Sequence, residues 1–111
     1  MTPTDFRRLA LGQPEALESA HMGHADFRVG GRIFATLGYP DAGWGMVKLL
    51  REQQDLFVQA NPSMFRPVRG GWGLKGATNV DLAAVDETAL EQALRAAWLN
   101  TAPKRLTASA S

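Results

Sequence analysis

Hydrophobic and polar residues alternate on both sides of a Gly-Gly pair in the segment ADFRVGGRIFATLGY, residues 25–39. Alternation with a period of two is typical of half-buried antiparallel strands. A Gly-Gly pair accepts positive φ at both central positions of a two-residue turn. The segment therefore predicts a β-hairpin with an apolar face to bury and a basic tip. The predicted apolar face carries Phe27 and Val29 and, after the turn, Ile33, Ala35 and Leu37; the opposite face carries Asp26 and Arg28, then Arg32, Phe34 and Thr36.

Three segments have features of helices. Residues 2–5 (TPTD) supply a cap, a proline and an acid for a short N-terminal helix. A second helix is predicted from Arg51 to Asn61, because the residue before Pro62 avoids the helical region. After the predicted cap Asp86, apolar residues recur at spacings of one and three up to about Asn100, which is the strongest helical pattern in the chain: Ala89, Leu90, Ala93, Leu94, Ala97 and Trp98.

The remaining patterned segments are extended. Residues 16–22 and 44–50 predict strands, and the glycine-rich, basic segment Val68–Leu74 followed by Thr78–Ala83 predicts a second hairpin. Its turn is expected at Gly70-Gly71 or at Lys75-Gly76. The resulting order is a helix, about three strands, a helix, two strands and a helix. It predicts an α+β two-layer sandwich, an antiparallel sheet with helices on one face. We expect one domain over residues 1–106 and a flexible tail over 107–111.

Length and composition narrow the function classes. A chain of 111 residues with 45% hydrophobic residues can bury a core without covalent staples. The absence of cysteine excludes disulfides, a thiol nucleophile and Cys-ligated metal sites. No apolar run approaches the roughly 18 residues of a membrane span, and the first residues lack a signal-peptide pattern, so a cytoplasmic protein is expected.

Positive charge is concentrated in the middle of the chain. The net charge is only +1, but residues 28–76 contain seven basic and three acidic residues, a balance of +4. The flanking segments 1–27 and 77–111 have balances of −2 and −1. Such asymmetry favours an anionic partner. The alternative is an ordinary solvated surface, because strongly basic nucleic-acid-binding domains have a larger excess of positive charge.

Four segments resemble the MmcQ/YjbR family of small bacterial proteins: HMGHADFRVGGRIFATLGYP at residues 21–40, GWGMVKLL at 43–50, GGWGLKG at 70–76 and AWLNTAPKRL at 97–106. The resemblance extends from Phe6 to Leu106. It implies an α-β(3)-α-β(2)-α two-layer sandwich similar to that of type III secretion chaperones. It also implies the function suggested for the family, which is DNA binding through a double-wing motif.

The nucleic-acid hypothesis places the two hairpin tips along DNA. Long cations on exposed tips suit phosphate contacts, and glycines allow close approach of the backbone. No predicted helix carries a set of base-reading residues, so sequence specificity should be weak. The candidate contact residues are Arg28, Arg32, Lys48, Arg66, Arg69 and Lys75. The alternative is again that these are ordinary surface cations.

Catalytic and metal chemistry find little support in the sequence. His21 and His24 would converge only if a turn at Gly23 brought them together, and no third strong ligand is near, so no metal or other cofactor is expected. No nucleophile–base motif or P-loop ending is present, so we expect a non-enzymatic protein. The tryptophans Trp44, Trp72 and Trp98 are predicted to be core residues, although each could serve as a stacking platform for single strands.

A protein–protein module is the alternative function. The fold resemblance to secretion chaperones, which bind extended segments, suggests that an exposed edge strand could take up a peptide. An apolar patch beside that edge would favour this alternative, whereas a positive patch across both hairpins would favour nucleic acid.

Overall fold

The computed structural model describes the backbone of residues 1–110 and the side chains of residues 1–108. Six strands form one antiparallel sheet in the order β1-β2-β3-β4-β6-β5. The elements along the chain are α1 (Pro3–Leu11), β1 (Leu17–His21), β2 (His24–Val29), β3 (Arg32–Leu37), β4 (Trp44–Lys48), α2 (Arg51–Ala60), β5 (Phe65–Pro67), α3 (Gly71–Leu74), β6 (Ala77–Asp81), α4 (Glu87–Thr101) and α5 (Lys104–Ala110).

One layer of helices covers one face of the sheet, which confirms the predicted α+β two-layer sandwich. Helix α4 packs on β3 and β4, α1 packs on α4 and β3, and α2 packs on β5 and β6. The core between the layers is apolar and aromatic, with Phe6, Phe27, Phe34, Leu90 and Trp98 fully buried. Four strands rather than about three precede α2, and the short helix α3 lies between the last two strands.

The first hairpin forms where the sequence predicts it. Gly30 and Gly31 both have positive φ, 59° and 78°, and β2 pairs with β3 across them. Three of its face assignments are wrong, because the β2–β3 register shifts at a bulge. Phe34 is fully buried, Ile33 lies opposite Arg28, and Arg32 lies opposite Val29. A bulge adds one residue to a strand and interrupts the period of two.

The second predicted hairpin is wrong. Residues 71–74 form α3 instead of a strand, and the partner of β6 is the earlier segment Phe65–Pro67. The α3 turn is packed tightly against the residue that follows β5, since a Cβ at Gly73 would collide with the carbonyl oxygen of Val68. Gln54 of α2 also fixes it, donating hydrogen bonds from Nε2 to the carbonyl oxygens of Gly73 and Ala77. These contacts form through tertiary packing, so the local sequence pattern does not predict them.

The predicted helices are confirmed, with their caps. Thr2 and Asp5 form a capping box at α1, and the Asp86 carboxylate accepts a hydrogen bond from the backbone N–H of Ala89 at α4. Beyond Pro103, the chain forms α5, which includes the first residues of the predicted flexible tail; the last residue of that tail lies outside the described part. Within the described residues, the structure contains no helix of the length and apolarity that crossing a bilayer requires.

Candidate functional site

The face of the sheet opposite α1 and α4, here called the open face, carries polar and aromatic residues. Cross-strand pairing places one row of side chains across all six strands. Paired residues project from the same face of a sheet, and on β2, β3, β4 and β6 the residues that alternate with this row include core residues such as Phe27, Ala35, Val47 and Val80. The row consists of Ser19, Asp26, Thr36, Met46, Asn79 and Arg66.

Lys48 lies at the end of β4 on the open face, beside Trp72 of α3. Its Nζ is 5.4 Å from the centroid of the indole ring, which is a cation–π arrangement. Burial of the ammonium group, and secondarily the positive charge of Arg32, lower the pKa of Lys48 below its ordinary value. Both effects disfavour the charged form of Lys48, and an anion bound beside it would favour that form.

Arg66 makes the second such pair, with Trp44. Its guanidinium carbon is 4.9 Å from the centroid of the Trp44 ring. Arg66 lies on the edge strand β5 and is exposed, whereas Trp44 begins β4 and is half-buried. Trp44 and Lys48 are both on β4, so the two cation–indole pairs are arranged along one strand on one face.

The other three sequence-predicted residues have different positions. Arg32 follows the Gly30-Gly31 turn and is exposed. Arg69 lies in the connection between β5 and α3, and Lys75 caps the C-terminus of α3. The structure therefore brings Arg66, Arg69 and Lys75 to the β5–α3 side of the sheet, not to the tip of a second wing.

Arg28 is not a free cation. It donates two hydrogen bonds to the carboxylate of Asp26, whose side chain is 1% exposed. Hydrogen bonding to that carboxylate raises the pKa of Arg28. The two side chains reach each other because both residues lie on the same face of β2, two positions apart.

Arg32, Lys48, Arg66, Arg69 and Lys75, by contrast, form no ion pair with any carboxylate that the structure describes. Arginines elsewhere are paired: Arg7 with Glu18, Arg8 with Glu87 and Asp5, Arg51 with Asp55, and Arg105 with Glu15. The open face also has a carboxylate, Asp81, directly opposite Trp44. Of these five cations, Lys48 and Arg66 lie on the open face, and Arg69 and Lys75 lie at its β5–α3 border. Arg32 lies at the tip of the first hairpin, opposite the buried Val29.

The tryptophans differ in their environment. Trp98 is fully buried and donates a hydrogen bond from Nε1 to the carbonyl oxygen of Pro14, so its predicted core position is confirmed. Trp72 is 63% exposed, so its predicted core position is wrong. Sequence reasoning missed Trp44 and Trp72 as partners of the cations. The available signal was that Trp72 stands between glycines, outside any apolar periodicity.

The two histidines meet across a tight turn. Met22 and Gly23 both have positive φ and bring His21 directly opposite His24 in the β1–β2 pairing. The His24 ring packs edge-on against Tyr39, with centroids 5.9 Å apart. No cluster of three metal-ligating side chains occurs in the part of the chain that the structure describes.

A shallow cavity of about 310 Å³ lies between α2 and the β5–α3 connection. Its lining includes Arg51, Asp55 and Leu74, and also Gln54, whose amide nitrogen is already engaged by two carbonyl oxygens. The cavity is therefore lined by the Arg51–Asp55 ion pair and by apolar groups, and its described lining has no cluster of unsatisfied polar groups that would bind a ligand.

Comparisons with known proteins identify a family and support the fold. The family model described as YjbR matches residues 11–100, most of the chain. The crystal structure of Deinococcus radiodurans protein DR2400, which has a DUF419 family-model domain, superimposes with a TM-score of 0.76 at 23% sequence identity. The similarity covers 97% of this chain and 83% of that chain and supports the fold. None of the curated proteins compared matches this chain.

Proposed function

The chain belongs to the YjbR family, and we propose that it binds DNA through the open face of its sheet. One observation carries the proposal: the cations on this face and its border lack carboxylate partners in the described structure, whereas Arg7, Arg8 and Arg28 are paired. Uncompensated cations on one side give a local positive potential despite the small net charge of the chain.

The arrangement favours contacts with phosphate over reading of bases. Lys48 and Arg66 project from strands, and Arg69 lies in a connection. Among the longer helices, the N-terminal Arg51 of α2 is already paired with Asp55. Helices α1, α2 and α4 cover the opposite face of the sheet, so none of them enters the major groove from the open face. Binding therefore depends on backbone charge and is largely independent of sequence. This surface replaces the two wing tips of the sequence hypothesis.

A fluorescence-anisotropy titration with labelled DNA at low and at near-physiological salt tests the proposal. Neutralising three cations together, in Arg32→Gln/Lys48→Gln/Arg66→Gln, should weaken binding and flatten the dependence of log K on log salt by up to about 0.9 per lost phosphate contact. Arg7→Gln/Arg8→Gln/Arg95→Gln is the charge-matched control, because it removes three positive charges from α1 and α4 on the covered side of the sheet. The absence of binding at low salt, or equal losses in variant and control, would contradict the proposal.

A second candidate function, binding of an extended peptide, is favoured by the edge strand β1. All five of its residues are exposed, and Leu17 is 70% exposed. The strand contains neither proline nor lysine, the residues that commonly protect an edge from pairing. Peptides selected from a random library should lose binding to an Ala20→Lys variant. Failure to select any peptide, or retention of binding by the variant, would exclude this edge.

A further inference from the structure

We infer that the open face prefers single-stranded DNA over duplex DNA, with Trp72 as its main stacking platform. The inference depends on the proposed function, because it specifies the form of DNA that the same cations would bind. Single strands differ from duplexes in that the flat faces of their bases are accessible, and aromatic side chains beside cations bind those faces without regard to sequence.

Trp72 is held as a rigid, exposed aromatic group. The backbone of α3 is fixed by the close approach of Gly73 to Val68 and by the hydrogen bond from Gln54. The Trp72 side chain is nevertheless 63% exposed. An exposed indole presents a flat apolar surface on which a base can stack. A fixed backbone lowers the conformational entropy that an incoming base would remove.

Lys48 and Arg66 lie beside the two indoles, where they could contact the phosphates of a single DNA strand. Lys48 contacts the Trp72 ring and Arg66 contacts the Trp44 ring, so each indole has its own positive charge. Trp44 begins β4 and Lys48 ends it, so the two cation–indole pairs lie at opposite ends of one strand. Two indoles placed in this way suit two separate bases of an extended single strand.

A duplex would use only part of this surface. Its bases are stacked on one another inside the helix, so phosphates could approach Lys48 and Arg66 but Trp72 would gain no base to stack on. Replacement of Trp72 should consequently distinguish the two forms of DNA, whereas replacement of the cations should weaken both.

The test compares an oligothymidylate of about 12 nucleotides, a typical length for single-strand sites, with a duplex of the same length at the same salt concentration. We expect the full-length protein to bind the single strand more tightly. Trp72→Leu should weaken single-strand binding by roughly 5- to 150-fold, the effect of losing one base–aromatic stack, and leave duplex binding unchanged. Leu74→Ala is the control, because Leu74 is an equally exposed apolar residue of α3 and should change neither affinity.

The outcomes separate the two proposals. Equal or tighter binding of the duplex, or single-strand binding that Trp72→Leu leaves unchanged, overturns the single-strand inference; if Arg32→Gln/Lys48→Gln/Arg66→Gln still weakens binding, the proposed function stands. Binding of neither form at low salt overturns both. Circular dichroism of Trp72→Leu establishes that the variant is folded, as expected for a change at an exposed side chain.

Discussion

Arg28 donates hydrogen bonds to the two carboxylate oxygens of Asp26, at 2.8 Å from Nε and at 3.0 Å from Nη2. The Asp26 side chain is 1% exposed and the Arg28 side chain 34% exposed. A carboxylate removed from water needs a partner, because an unpaired buried charge is costly. Arg28, which the sequence places at the basic tip of the first hairpin, thus stabilises the sheet.

Replacement of Arg28 should therefore affect stability before it affects binding. Arg28→Gln leaves the buried Asp26 carboxylate without its ion pair, and we expect the free energy of unfolding near pH 7 to fall by more than it does when a surface ion pair is lost. Urea denaturation of the variant and the parent measures the difference.

The control for this prediction is Arg7→Gln. Arg7 pairs with Glu18 on the surface, with side chains 41% and 32% exposed, so its loss should cost no more than about 0.5 kcal/mol. Equal stabilities of Arg28→Gln and the parent protein would show that Asp26 does not depend on Arg28.

We expect Lys48 to strengthen DNA binding and to lower the stability of the folded protein. Because burial and Arg32 lower its pKa in the folded state, the folded protein holds this proton less tightly than the unfolded chain does. Stability therefore rises with pH as the folded-state Lys48 deprotonates, up to the unfolded lysine pKa near 10.4. Lys48→Met keeps the apolar stem and removes the charge. We expect it to equal or exceed the parent in stability near pH 7, by at most about 0.5 kcal/mol, to flatten that rise and to weaken DNA binding.

Lys75→Gln serves as the comparison for Lys48, since Lys75 is exposed at the end of α3. It should weaken DNA binding without a change in stability. Thermal unfolding and anisotropy on the same samples measure both effects. A Lys48→Met protein that is less stable than the parent but binds DNA normally would refute the role of Lys48 in DNA binding.

We expect α3 to be destabilised by an added methyl group at Gly73 but to tolerate one at Gly71. A Cβ at Gly73 would collide with the Val68 carbonyl oxygen, whereas a Cβ at Gly71 meets no atom within 4 Å. Gly73→Ala should destabilise the protein by about 2 kcal/mol or more, in the range of overpacked cores. Gly71→Ala should be neutral or stabilising by up to about 1 kcal/mol, since alanine favours a helix. Chemical denaturation followed by tryptophan fluorescence compares the two, and equal effects would contradict the packing described for Gly73.

The sequence predicts the parts of the fold that depend on local rules. The Gly30-Gly31 turn, the Thr2 and Asp86 caps and the apolar stripe of α4 follow from backbone freedom, capping and periodicity, and the structure contains each. The segment 68–74 misleads because glycines fit both a tight turn and a helical turn. The contacts of Gln54 and Val68 with Gly73 favour the helical turn. Gln54 is distant from α3 in sequence, and Val68 contacts Gly73 only in the folded chain.

The candidate site is less predictable, for a related reason. The basic residues are visible in the sequence, but which of them keep a free charge depends on neighbouring carboxylates. For Arg28 the neighbour is two residues away on the same strand face, so the pairing could have been found. The pairing of Arg66 with Trp44 could not, because it requires the β4–β6–β5 strand order that only the fold supplies.

A backbone amide NMR titration with short DNA at low salt tests the central claim most directly, because it reports both whether DNA binds and where. The account predicts shifts at Met46, Lys48 and Asn79 on the open face and at the indole N–H of Trp72. The outer surface of α4, at Glu91 and Gln92, should remain unchanged. An unchanged spectrum, or shifts confined to α4, would contradict it.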